Sequence, residues 1–219
     1  MTGVSSQILN LLAALLLLLT FAMLGQRRIL SLITLFMLHG IVVVVSALLI
    51  GYATSNHHLY FSAGLTLAVN VMLIPWILHK LVFRLKVKRE VETLINVSVT
   101  MLIGIVLVIV AFNIALPVAA LSSSVASGTL GIALACVLLS FMMILVRSNA
   151  IPQVIGYLTM ENGLFFAATA ATDGMPLLVE LGVALAVIGG TLVVGLFMFQ
   201  IREHFDDLDI HNLETRKED

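Results

Sequence analysis

Long apolar runs, each about the length of a bilayer crossing and joined by short links, leave this chain few ways to fold. Taking roughly 20 apolar residues per crossing, the sequence predicts seven spans, at 7–25, 29–51, 59–83, 97–121, 125–146, 151–172 and 177–200. Backbone inside lipid has no water to bond, so runs of this kind must be helical. The expected fold class is therefore an all-α polytopic membrane helix bundle with seven transmembrane helices. Only 11% of the 219 residues are charged and 61% are hydrophobic, whereas a soluble domain is about a quarter charged. That balance leaves no room for a soluble catalytic domain. The first run, ILNLLAALLLLLTFAML, lacks a basic lead-in and a small-residue cleavage site, and reads as a retained first helix.

Orientation follows from where the cations fall, because Lys and Arg stay on the cytoplasmic side during insertion. All eleven lie on one side of the predicted spans: Arg27 and Arg28; Lys80, Arg84, Lys86, Lys88 and Arg89; Arg147; and Arg202, Arg216 and Lys217. The alternate links, YATSNHH, SSS and TDGMP, carry none. This predicts an outside N-terminus and a cytoplasmic C-terminus. A net charge of −1 gives no reason to expect a nucleic-acid partner. One cysteine, Cys136, excludes an internal disulfide and a cysteine-ligated metal or iron–sulfur site within the chain.

The informative residues are the polar ones inside the runs. Glu161 and Asn162 interrupt IPQVIGYLTMENGLFFAATAAT near its middle, where an ionised carboxylate is costly without polar company. Two readings stand: a proton-carrying acid, or structural glue to a neighbouring helix or subunit. Tyr157 precedes Glu161 by one helical turn on the same face, and Asn162 points about 100° away from it. His39 lies mid-span in the second run, where an imidazole can exchange protons near neutral pH or simply serve as a buried structural group. Asn70 and Asn113, in the third and fourth runs, read as glue. Glu180 is placed near the outer surface, too far along its helix to pair directly with Glu161. His79 and Lys80 read as interfacial, and His57 with His58 lacks a third metal ligand.

Local signals complete the map. Asn149 or Ser148 can cap the helix that carries Pro152 in its first turn. Pro75 and Pro117 should kink their spans. The pair Gly189–Gly190 allows either close helix approach or a local break. Met37–Gly40 (MLHG) echoes Met160–Gly163 (MENG), which permits a parallel repeat of spans 1–3 and 5–7.

The run VRSNAIPQVIGYLTMENG, with the tail DDLDIHNLETRKED, resembles hydrogenase-4 component E, a membrane subunit of formate hydrogenlyase and related energy-converting hydrogenases. The resemblance covers essentially the whole chain, and its specific part is the arginine link, GY, MENG and the tail. The last three spans are similar to the K subunit of respiratory complex I and the C subunit of multisubunit cation/proton antiporters. In those relatives a glutamate of the second of three helices belongs to a polar axis for proton coupling, and the matching motif places that role on Glu161. A second glutamate expected in the next helix is replaced by Ala186 or Val187, and a lysine expected in span 3 by Asn70.

The resemblance implies a unit at 125–200 like the complex I K subunit, after an N-terminal three-helix half at 1–96 and a connecting span at 97–124, with a cytoplasmic charged tail at 201–219. It implies a non-catalytic subunit of a complex I-like hydrogenase assembly in the cell inner membrane. Glu161, His39, Tyr157 and Glu180 would be its proton-relay residues, supported by Asn70 and Asn162. No cofactor is expected in this chain; [NiFe] and iron–sulfur centres would belong to partner subunits. The expected partners are antiporter-like and other membrane subunits, cytoplasmic redox subunits and lipid. A cation/proton antiporter subunit and a purely structural scaffold are the alternatives.

Overall fold

A computed structural model describes residues 3–55, 57–84, 91, 93–119, 126–171, 189, 190 and 195. The architecture is all-α, with no strand among the described residues. The helices are α1 (Gly3–Gly25), α2 (Ile29–Thr54), α3 (His57–Thr66), α4 (Ile74–Arg84), α5 (Val97–Ala119), α6 (Ala126–Val146) and α7 (Ala150–Ala171). A π-helical segment, Leu67–Leu73, joins α3 to α4, so that these three form one long helix. Five helices among the described residues are long and apolar enough to cross a membrane: Ser5–Gly25, Ile29–Thr54, His57–Phe83, Val97–Pro117 and Thr129–Val146. The chain is thus built as a multi-span membrane protein. Helix α7 is also long, at 22 residues, but Gln153, Glu161 and Asn162 dilute its apolar character. The seventh predicted span, with Glu180 and Ala186, lies outside the described residues apart from Gly189, Gly190 and Gly195, and so does the charged tail.

Helices α6 and α7 pack against each other most extensively, and α1, α2 and α5 close around them. Glycines set the α6–α7 approach. A methyl group on Gly156 would meet Ile144 Cγ1 at 3.0 Å, and one on Gly163 would meet Val137 Cγ2 at 3.3 Å. These glycines lie two turns apart and share a face, which lets the backbones come close without side chains between them. By contrast α5 leaves Leu102, Ile105, Ile109 and Leu116 exposed. Such a face is suited to lipid. Asn113 belongs to this exposed side and donates to Ile109 O of its own helix at 2.8 Å. That bond runs within α5, and no bond from Asn113 to another helix is seen among the described residues.

Proline acts differently at its two predicted kinks. Pro75 lacks an N–H and crowds the carbonyl four residues earlier, and the π segment ends immediately before it. The N–H of Ile74 reaches back five residues to Val69 O, so the widened turns absorb the defect. Pro117 sits in the last turn of α5, which continues to Ala119.

Arg147 organises one end of the bundle. It follows α6 and is only 1% exposed, whereas its sequence position suggests a plain loop cation. Its Nη2 donates to Met23 O at 3.1 Å and to Leu24 O at 2.8 Å. Those carbonyls belong to the last turn of α1, where intrahelical donors have run out and the helix dipole favours a cation. Burial pulls the guanidinium down to about 10, so it keeps its proton at neutral pH. The main chain of Arg147 forms an isolated antiparallel bridge with Thr93, and Gln153 Nε2 donates to Arg147 O at 2.7 Å. Leu94 N–H donates to Val146 O at 2.9 Å and Val91 N–H to Arg27 O at 2.8 Å. The Arg147 side chain thereby ties the end of α6 to α1, while its main chain engages α7 and the link before α5. Replacing Arg147 with Ala should cost about 2–3 kcal/mol through the lost charged hydrogen bonds. Thermal unfolding in detergent would then show a Tm lower by roughly 5–10 °C; an unchanged Tm would deny the cap its role.

Candidate functional site

Two apolar clusters divide the bundle along its length. One contains Met23, Leu24, Phe36, Ile74, Leu139 and Leu158; the other contains Leu16, Val42, Ala63, Cys136 and Phe165. Each inner helix changes cluster along its length; in α6 the change falls between Cys136 and Leu139 with no polar residue in between, and in the others a polar residue occupies the interval. Thr20 lies between Leu16 and Met23, His39 between Phe36 and Val42, Asn70 between Ala63 and Ile74, and Glu161–Asn162 between Leu158 and Phe165. The bundle therefore holds a polar layer at mid-height, closed above and below by aliphatic packing.

Most intramembrane hydroxyls are satisfied within their own helix. Thr20 donates to Leu16 O, Ser46 to Val42 O, Ser140 to Cys136 O and Thr159 to Ile155 O, all within 2.7–2.8 Å. Such bonds cost the helix little and use the hydroxyl's one proton. Amide, imidazole and carboxyl groups cannot all be settled in this way. Asn70 Nδ2 donates to Asn162 Oδ1 at 2.8 Å, linking the π segment to α7. Among the described residues, both His39 ring nitrogens, Asn70 Oδ1, Asn162 Nδ2 and Glu161 Oε2 are buried without a hydrogen-bond partner. His39 is 0% exposed, Asn70 and Asn162 2%, and Glu161 4%. A desolvated polar atom left unpaired costs about 1–3 kcal/mol, and five of the seven such atoms among the described residues lie in this layer, the other two being Nε and Nη1 of Arg147.

The MENG motif resolves into three separate contacts. Gly163 faces α6, Asn162 bonds Asn70, and Glu161 points to Gly189. A methyl group on Gly189 would lie 2.7 Å from Glu161 Oε2 and 2.8 Å from Leu158 Cδ2, with Tyr157 Cε1 at 3.6 Å. Tyr157 and Glu161 thus share the face expected from their spacing, and that face is covered by glycine. Gly190 turns toward Val69 Cγ1 of the π segment, 3.8 Å from its Cβ position. Of the two readings for this glycine pair, close approach is the one seen. On the other side of the π segment, Gly40 would place a methyl 3.1 Å from Val71 Cγ2 and 3.8 Å from Asn70 Cβ. The structure therefore brings Glu161, Asn162, Asn70 and Tyr157 to one junction, with His39 beside the glycine that admits the π segment. Glu180 lies outside the described residues.

Sequence reasoning did not foresee the π segment or the buried guanidinium of Arg147. Pro75 was the signal for the first, since a proline five residues after a polar mid-span residue can widen the turn that carries it. For the second there was no comparable signal, because a buried cap and a loop cation look alike in one sequence.

These features define an all-α membrane protein with a closed polar layer at the centre of its bundle. The chain is similar to the uncharacterized protein Rv0085 of Mycobacterium tuberculosis (strain ATCC 25618 / H37Rv), with 29% identity over 194 residues that cover 88% of each chain. The likeness extends through nearly all of the bundle rather than one motif. No family model matches the chain, and no solved structure matches it.

Two outcomes follow from the contacts. Gly189→Ala should destabilise the bundle by about 1–3 kcal/mol through overpacking, whereas Gly195→Ala, with open space at its Cβ position, should leave the Tm unchanged; equal effects would contradict the close contact with Glu161. A double-mutant cycle of Asn70→Ala and Asn162→Ala should return a coupling of about 0.5–1.7 kcal/mol, and strict additivity would show that the amides do not act together.

Proposed function

We propose that the chain is a non-catalytic membrane subunit of a complex I-like energy-converting assembly, of the hydrogenase or formate hydrogenlyase type. Its part is to hold Glu161 in a polar path through which protons are coupled to work done elsewhere in the complex. The observation that carries this reading is the unpartnered Glu161 Oε2 beside the Asn162–Asn70 amide bond. Acids kept inside membranes face water, a partner or a pathway, and the described residues leave this one open to such company. A π segment is an apt carrier for Asn70, because its irregular turns present polar groups at positions a regular helix would not. The resemblance of GYLTMENG to the complex I K subunit supplies the type of assembly.

In this reading seven helices cross the inner membrane, with the N-terminus outside and the C-terminus cytoplasmic. Glu161 accepts and releases a proton, Tyr157 and His39 exchange with it through water, and Asn70 with Asn162 orients the layer. Glu180 would serve the outer part of the path. Redox metal centres belong to cytoplasmic partner subunits, and antiporter-like subunits take up the proton traffic within the membrane. The cation/proton antiporter alternative keeps the same site and dispenses with redox partners. A scaffold reading is favoured only by the Asn70–Asn162 bond, which holds two helices together whatever Glu161 does.

Copurification of the native complex separates the assemblies: hydrogenase and iron–sulfur chains are expected with this subunit, and antiporter chains alone would overturn the hydrogenase assignment. Glu161→Gln separates relay from scaffold. Proton translocation should fall by at least about a hundredfold, the range in which loss of a positioned acid or base operates, while the complex stays intact. An unchanged translocation rate in the intact variant would leave only the scaffold.

A further inference from the structure

A cleft of about 920 Å³ opens at the end of the bundle where α1 stops and α2 starts. Its described lining includes Arg27, Arg28, Ser31, Thr93 and Asn96. Both arginine side chains are exposed, so they are free to turn toward a ligand. Gln26 Oε1 accepts from the main-chain N–H groups of Arg27 and Arg28, at 3.0 and 3.4 Å, which fixes the bend that presents the pair. Neither α2 nor α5 has an acidic residue in its first turn, and Arg28 at the start of α2 makes no side-chain cap. The cleft thus combines two guanidinium groups with the start of α2, which has no side-chain cap and no acid in its first turn.

We propose that this cleft binds the phosphate of an anionic phospholipid headgroup. The depth is right, because Ile29–Thr54 is a bilayer-length apolar helix whose first residues must lie at headgroup level. The chemistry is right as well, since guanidinium forks match phosphate oxygens in pairs. The volume falls in the range of small-ligand sites, about 300–1,000 Å³. Basic pockets between helices at a membrane face are suited to such lipids. The site is remote from Glu161 and independent of the function proposed above.

Native mass spectrometry of the purified full chain, released from micelles doped with equimolar phosphatidylglycerol and phosphatidylcholine, tests the proposal. Phosphatidylglycerol should be retained preferentially, and the preference should fall roughly fivefold for each of Arg27→Gln and Arg28→Gln. Lys80→Gln removes a cation that rests over Trp76, 4.8 Å from the ring centre, and should leave the preference intact. Ser31→Glu places a carboxylate within the cleft at the start of α2; it should abolish the preference without lowering the Tm, which separates occupancy from misfolding. Equal retention of the two lipids, or a preference that survives the arginine double variant, would overturn the proposal. So would stabilisation by inorganic phosphate with none by phosphatidylglycerol, since the occupant would then be a free ion.

Discussion

A bilayer core offers no water, so any polar group placed there must be answered by the protein itself. The bundle obeys that constraint almost everywhere. Hydroxyls bond back along their own helices, Asn113 does the same on the exposed side of α5, and Arg147 spends Nη2 on two carbonyls in the last turn of α1. Among the described residues, five of the seven buried unpartnered side-chain atoms lie in one mid-height layer between the two apolar clusters, and the other two are Nε and Nη1 of Arg147. The unpartnered atoms of the layer belong to histidine, asparagine and glutamate, the residue types best able to bind water or protons.

The helices are arranged so that this layer can exist. Gly156 and Gly163 bring α6 against α7, which leaves the opposite face of α7 to carry Tyr157 and Glu161. Gly189 then approaches that face so closely that a methyl group would collide with the carboxylate. Gly40 admits the π segment, and the π segment delivers Asn70 to Asn162. Small residues do the positioning here because apolar side chains gain nothing from leaving lipid tails for one another. Arg147 and the bridge to Thr93 fasten the far end, so the spans are tied by a buried polar clamp as well as by packing.

Much of this was legible beforehand, because bilayer length and hydropathy leave little freedom. Spans one to six begin and end within a few residues of the helices observed, and the direction of Asn162 away from Glu161 followed from helical spacing alone. What Asn162 meets did not follow. The Asn70 contact joins residues 92 apart, and its geometry depends on a π segment that periodicity does not report. Arg147 read as a loop cation and was illegible as a cap, since the same residue type serves both ends. Asn113 shows that a mid-span amide can also bond within its own helix, to Ile109 O.

The central claim is that Glu161 sits in a hydrated site where it exchanges protons, rather than in a dry contact that only joins helices. Difference infrared spectroscopy on the carboxyl stretch, assigned by comparison with Glu161→Gln, tests it most directly. The account predicts a band that titrates with pH and shifts when H2O is replaced by D2O. A Glu161 band that neither responds to pH nor exchanges with D2O would contradict it.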